Sequence, residues 1–280
     1  ILEPSCGVGN FFGRIPEEFN NSKLYGVELD SISGRIAKKL YPMAKIEING
    51  FEETKYQDNL FDVAIGNVPF GNFKVLDKKY KTNFMIHDFF FQKTIDKVRP
   101  NGIIAFITTD GTLDKKDTKV REYIAKRAEF IGAIRLPNNT FTGSANTKVT
   151  SDIIFLKKRD ELKLDISDEE WIYTSEYNNG IVINNYFINH PKMMLGKMEQ
   201  KSSAFGFENT LSPIDIPLND LLLKAIENLP SNIYENVSID LDEKSNDFEI
   251  LEADENIKNG AFVIKIINGR KVIYQRQDSS

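Results

Sequence analysis

Cysteine and histidine are scarce: Cys6, His87 and His190 are the only three in 280 residues. A single thiol excludes an intrachain disulfide and fits a reducing compartment. Neither histidine has a second ligand at metal-binding spacing, so no metal site is expected, and His87 reads as a helix-surface or buried polar group. No apolar run approaches the roughly 18 residues that a membrane helix needs. The first glycine-rich turn lacks a following Gly-Lys-Ser/Thr, which excludes a phosphate-binding P-loop. An initiator Met and a signal peptide are missing too. The chain opens "ILEPSCGVGN", already inside a strand-to-loop pattern, and is expected to be a piece of a longer protein.

What is present supports a folded core, with 41% apolar and 28% charged residues. Charge is unevenly divided. Residues 1–160 hold 25 Lys+Arg against 20 Asp+Glu, a net of +5, and residues 161–280 hold 11 against 21, a net of −10. The first part can approach a polyanion; the second would repel one. That shift, with "KKRDELKLD" at the junction, predicts one domain over 1–160 and an extension over 161–280.

In the first part short apolar runs alternate with helical stretches. "KLYGVEL", "NLFDVAIGN" and "IIAFITT" predict strands. "SISGRIAKKLY", with Ile32, Ile36 and Leu40 four apart, predicts a helix, as do "NFMIHDFFFQKTIDKV" and "KKDTKVREYIAKRA". Such alternation predicts an α/β fold, a parallel sheet covered on both faces. "FIGAIRL" and "SDIIFLKK" follow one another with no helix between, so one is expected to run antiparallel. The second part predicts hairpins at Asn178-Asn179-Gly180 and Asn268-Gly269. Helices are expected over "PLNDLLLKAIENLP" and "HPKMMLGKMEQ", and a mobile acidic connector over 231–259. Together these make a smaller C-terminal α+β extension.

Three turns carry chemistry. In "LEPSCGVGNFFG", Gly7 and Gly9 let the backbone turn tightly and approach a ligand, and Glu3 favours a cationic or neutral group there over a pyrophosphate. Glu28 ends the next strand, where an acid commonly accepts both ribose hydroxyls of an adenosine; a solvated strand-end acid is the plainer reading. At the fourth strand's end, "NVPF" offers the Asn67 amide oxygen and the Val68 carbonyl as acceptors beside the Phe70 ring. Two acceptors and an aromatic face suit an exocyclic amine on a flat ring.

With these motifs, residues 1–160 resemble S-adenosylmethionine-dependent amino-methyltransferases that modify adenine N6 in DNA. "EPSCGVGNF" resembles that family's cofactor motif, and "NVPF" its catalytic tetrapeptide, Asn/Asp-Pro-Pro-Tyr/Phe/Trp. The order, cofactor motif first, is that of the gamma group. Val68 stands for the usual first Pro but keeps its carbonyl. The resemblance implies a Rossmann-like, mostly parallel seven-stranded sheet with one antiparallel strand. It implies catalytic roles for Asn67, Val68, Pro69 and Phe70, and S-adenosylmethionine contacts from Glu3, Pro4, Ser5, Gly7, Gly9, Glu28, Leu29 and Phe51. Gly50 stands where an acid is usual, so Asn49 or a backbone group is expected to substitute. "GNVPFGNF", "RLPNNTF", "VTSDIIFLKKR" and "YFINHPKMMLGKMEQ" are further similar to the methylase part of large methylase–helicase proteins of bacterial mobile elements and phages.

That likeness implies DNA as substrate, a helicase as covalent or non-covalent partner, no membrane, and the bacterial cytoplasm as location. The same tetrapeptide serves enzymes that methylate protein glutamine or RNA adenine. A degenerate methylase fold that only docks a helicase on DNA is the non-enzymatic alternative, separable by its lack of cofactor binding. The basic stretches 74–81 and 115–127 read as solvated faces, the first equally well as a phosphate contact.

Overall fold

Runs rich in β-branched and aromatic residues become the strands of one mixed sheet. The computed structural model describes residues 1–71, 73–80, 84–142, 148–203, 206–234, 262–267 and 270–275. Its main strands are β1 (Leu2–Glu3), β2 (Tyr25–Glu28), β3 (Lys45–Ile48), β4 (Phe61–Asn67), β5 (Val98–Thr109), β6 (Ala128–Leu136) and β7 (Ser151–Lys158). They lie in the order β3-β2-β1-β4-β5-β7-β6. All pairs from β3 to β5 are parallel, and β7 runs antiparallel to both β5 and β6. The antiparallel strand is therefore the second of the two runs that lack a helix between them.

Strand order reverses between β1 and β4, which opens a crevice at the carboxyl edge of the sheet. Helix α1 (Ser31–Leu40) starts at Asp30, whose carboxylate accepts the Ser33 N–H at 2.7 Å. It packs on β2 and β3 through small residues, Gly34 and Ala37. The row Ile32, Ile36 and Leu40 faces outward instead, at 65%, 43% and 59% exposure. Close approach decides this: a Cβ at Gly34 would sit 2.9 Å from Ile48. Helix α2 (Ile86–Lys97) is buried on almost every side, and its Phe91 packs edge-on against Phe106 of β5 at 5.3 Å. On the sheet's other face Ile103, Ala105 and Ile107 of β5 stay half-buried.

Beyond β5 lie α3 (Gly111–Asp114) and α4 (Lys119–Ala125). Residues after 160 continue the same core. Trp171 stacks on Phe130 at 4.5 Å, and Ile172, Ile183 and Phe187 are wholly buried. Arg121, itself fully buried, donates to the carbonyls of Ile172, Thr112 and Lys115 at 2.5, 3.1 and 2.7 Å. The hairpin of β8 (Thr174–Asn178) and β9 (Ile181–Asn184) turns at Asn179 and Gly180, both at positive φ, as Asn-Gly there predicts. A short α5 (Asn185–Asn189) follows β9. "HPKMMLGKMEQ" is not the expected helix: a 3-10 turn over Pro191–Met193 leads into β10 (Lys197–Ser203), paired with β11 (Gly206–Ser212). Gly196 explains the change, since a Cβ there would lie 2.3 Å from the Ser212 carbonyl oxygen. Helix α6 (Leu218–Ile226) matches its sequence pattern.

The chain divides into two compact units, Ile1–Glu235 and Asn236–Ser280. In the second, β12 (Phe262–Ile267) and β13 (Arg270–Gln275) pair antiparallel. The Asn268-Gly269 turn and most of the connector expected over 231–259 lie outside the described residues.

One buried ion cluster joins the late strands to α3. The Arg135 guanidinium, wholly buried, holds both oxygens of Asp152 at 2.8 Å and one of Asp114 at 2.7 Å, with the Phe187 ring 4.2 Å away. Burial opposes its charge, but the two carboxylates outweigh that and hold its pKa well above the ordinary value. Removing the cation alone would leave two carboxylates without their counter-ion. Arg135→Met is expected to cost about 3–5 kcal/mol in urea unfolding; a loss under about 1 kcal/mol would contradict this role.

Candidate active site

β1 is only two residues long, and its side chains are buried. Past Glu3 the chain turns at once: the Cys6 N–H bonds the Val27 carbonyl at 2.9 Å, and the Gly9 N–H bonds the Cys6 carbonyl at 2.7 Å. Gly7 and Gly9 adopt φ of +54° and +87°, the left-handed region that favours glycine. A side chain at Gly9 would strike the Tyr41 ring at 2.5 Å, whereas nothing lies within 4 Å of the corresponding point at Gly7. The turn is closed against the protein at Gly9 and open at Gly7.

Glu28 is tied to this turn. One carboxylate oxygen accepts the Gly7 N–H at 2.7 Å and the other accepts the Asp30 N–H at 2.8 Å. Both oxygens keep lone pairs for further donors. Leu29, next to it, is 76% exposed.

Glu3 is 2% exposed, and its Oε2 has no hydrogen-bond partner. Burial, and secondly the charge of Glu28, push its pKa up to about 8. The free protein therefore carries a neutral carboxyl at Glu3 at pH 7. Cys6 is driven up to about 12, first by burial and then by Glu3 and Glu28, which leaves an unreactive thiol.

The parallel register of β1 on β4 brings the second turn alongside. A Cβ at Gly66 would lie 3.6 Å from Pro4 and 3.7 Å from Glu3. The Ser5 hydroxyl donates to the Asn67 carbonyl at 2.7 Å. Val68 is buried and its N–H bonds the Ile107 carbonyl at 3.0 Å, while the Asn67 side chain is exposed and Phe70 is 39% exposed. Pro69 between them is half-buried. Glu3, Pro4, Ser5, Gly7, Glu28 and the Asn67–Phe70 turn thus share the carboxyl edge of the sheet.

Two further anticipated residues lie on the loop after β3. The Asn49 Oδ1 is buried without a partner, and its Nδ2 reaches Glu47 at 3.4 Å. Phe51 is 2% exposed and packs on Phe90 and Phe89, so its ring belongs to the core surface beneath that loop. His87 is buried beside Asp88, and burial lowers its pKa. Among the described residues no cluster of His, Cys, Asp or Glu is arranged to hold a metal. No helix of the described residues is long and apolar enough to cross a membrane.

Sequence reasoning passed over Asp110, at the end of β5, whose neighbour Ile107 lies opposite Asn67. Burial, opposed by Arg135 and aided by Asp114 and Asp152, raises its pKa to about 7. Only an acid closing an apolar strand in "ITTDG" marked it. The basic stretches are largely solvated, with Lys74, Lys78, Lys79, Lys116 and Lys119 exposed; within them Lys79 pairs with Asp58 and Asp96, Lys115 with Asp88, and Arg127 covers the Tyr123 ring.

A seven-stranded sheet with one antiparallel strand, a glycine turn after β1 and an acid closing β2 define a methyltransferase fold. The family model described as N-6 DNA methylase matches residues 1–181, and the chain belongs to that family. It is 32% identical over 163 residues to defense against restriction protein B of Escherichia phage P1, covering 56% of this chain and 7% of that protein. It is 29% identical over 113 residues to modification methylase CviBIII of Paramecium bursaria Chlorella virus NC1A, covering 38% and 30%. The crystal structure of the type I restriction enzyme EcoKI M protein aligns at 17% identity and a TM-score of 0.43, over 56% of this chain and 39% of that one. The chain thus spans less than a third of these two curated relatives.

Glu3 makes a pH-dependent prediction. Its folded pKa of about 8 lies above the ordinary carboxyl value of 4.5, so the folded state holds a proton that the unfolded state has lost. Stability from this group is full below pH 4.5 and falls as pH rises toward 8, by at most about 1.4 kcal/mol per pH unit. Glu3→Gln is expected to flatten that fall in denaturant titrations between pH 5 and 8. Parallel wild-type and variant curves would contradict the assignment.

Proposed function

We propose that this protein transfers a methyl group from S-adenosylmethionine to the N6 amine of adenine in DNA. The observation that supports the reading most is the Ser5–Asn67 hydrogen bond at 2.7 Å, which joins the glycine turn to the Asn-Val-Pro-Phe turn. A donor site and an acceptor site side by side are what group transfer requires.

The residues fit this cofactor. The unpartnered Glu3 Oε2 suits its ammonium, the open space at Gly7 admits its backbone-hugging chain, and Glu28 retains lone pairs for ribose hydroxyls. The unpartnered Asn49 Oδ1 suits the amino group of its adenine. Pro4, Ser5, Gly9 and Leu29 shape the same cleft, and Phe51 forms its floor from within the core. When bound, the cofactor supplies an electrophilic methyl on a sulfonium.

Adenine's amine is a poor nucleophile because its lone pair is delocalised into the ring. The Asn67 Oδ1 and the Val68 carbonyl accept its two N–H bonds, localise the lone pair and aim it. Val68 is rigid for this task because its own N–H is fixed on Ile107. Pro69 stiffens the turn, and the half-exposed Phe70 ring stacks on the base. A base inside a duplex cannot reach these acceptors, so it flips out, at an unstacking cost of about a few kcal/mol that stacking partly offsets. The proton left on the methylated amine passes to water.

Residues 1–160 carry this site in our reading. Residues 161–280 act as an acidic extension that supports it and leads toward a helicase-like partner region, in the bacterial cytoplasm.

Asn67→Ala is expected to keep the fold and cofactor affinity but to reduce tritiated methyl transfer to DNA roughly 100-fold or more, since it removes an acceptor aimed at the reacting amine. Transfer within a few fold of wild type would overturn the reading. Phe70→Ala is expected to weaken capture of a 2-aminopurine target by about 1–3 kcal/mol, and Phe70→Tyr to preserve it. An unchanged fluorescence signal in the Ala variant would rule out stacking.

A further inference from the structure

Lys93 is 3% exposed, in the middle of α2, and the chemistry above makes no use of it. Its ammonium donates to the Glu52 carbonyl at 2.9 Å, the Thr54 carbonyl at 3.4 Å and the Asp77 carboxylate at 3.1 Å. It also lies over the Phe51 ring, 5.2 Å from the centroid, and 6.0 Å from that of Phe89. A buried ammonium is costly unless its donors are satisfied. Here the acceptors come from two separate segments, so satisfying the ammonium fixes each segment relative to the other.

Those segments are the ones that flank the two substrates. One, 49–54, contains Asn49 and Phe51; the other, 73–80, follows the Asn67–Phe70 turn. The second segment is pinned to α2 at its start, where the Ile86 N–H bonds the Phe73 carbonyl at 3.0 Å. Its far end is pinned by the Tyr80 hydroxyl on Asp96 at 2.8 Å. Between these pins Asp77, whose carboxylate also accepts the Lys79 N–H at 2.8 Å, is held by Lys93.

We infer that Lys93 is a positioning residue that couples the cofactor-side loop to the loop behind the target-amine turn, so that ordering one orders the other. The inference rests on the proposed function, because it takes 49–51 as cofactor-facing. Cofactor binding at Asn49 and Phe51 then tightens 73–80 through the ammonium before DNA arrives. A coupling of this kind amounts to roughly 5- to 150-fold in the affinity of one site for its ligand when the other is filled.

Hydrogen–deuterium exchange with S-adenosylhomocysteine as the probe tests it, since no recognition sequence is needed. In the wild-type protein the ligand is expected to slow exchange both in the glycine turn, 5–9, and in 73–80, the latter about 5-fold or more. Asp77→Asn, which keeps the side-chain shape, and Lys93→Met are expected to retain protection of 5–9 and to lose the increment at 73–80. A purely structural role for Lys93 predicts faster exchange in 73–80 with and without ligand, the increment intact; that result in Asp77→Asn overturns the inference alone. A wild-type protein whose glycine turn gains no protection overturns the functional reading, and this inference with it.

Discussion

The parallel pairing of β1 with β4, in the register Leu2 opposite Ala64, is the constraint from which the site follows. β1 is the strand at which the sheet changes direction, and two residues of it suffice because Leu2 and Glu3 are buried between neighbours on both sides. That register puts Pro4 against Gly66 and the Ser5 hydroxyl on the Asn67 carbonyl. A slip of one residue would send Glu3 to the opposite face of the sheet. It would also part the glycine turn from the Asn-Val-Pro-Phe turn.

Charge is distributed so that acids line the crevice while lysines and acids pair along its flanks. Glu3 and Glu28 end adjacent strands, one neutralised by burial and one held by backbone N–H groups. Farther along the same edge, Arg135 binds two carboxylates at once, and burial raises the Asp110 pKa to about 7 against the pull of the same guanidinium. Lys79 of the first basic stretch is bound to Asp58 and Asp96, and in α2 Lys93 is bound to Asp77 and Lys97 to Asp58. Each such pair cancels one charge of each sign, so the net of +5 over residues 1–160 is unchanged.

Much of this was legible in the sequence because it depends on local chemistry. Glycines at positive φ, an acid after a four-residue strand and a proline-containing turn after β4 advertise themselves without knowledge of the fold. So did the Asn179-Gly180 hairpin and the antiparallel strand beside "FIGAIRL". What stayed hidden depends on partners distant in sequence. Nothing local says that Ile32, Ile36 and Leu40 face outward, because that outcome turns on how closely Gly34 approaches Ile48. The methionine-rich stretch 193–198 carries helix-forming residues, but pairing with β11 and the contact at Gly196 override them. That α2 buries the Phe51 ring, and that Lys93 meets three acceptors from two segments, likewise depends on contacts distant in sequence.

The most direct measurement of the central claim is the identity of the nucleoside made. Unmodified bacterial genomic DNA would be incubated with the protein and S-adenosylmethionine, digested to nucleosides and analysed by mass spectrometry. The account predicts N6-methyldeoxyadenosine as the product, dependent on the cofactor. Methylated cytosine in its place, or cofactor consumed with the methyl group found on protein and none on DNA, would contradict it.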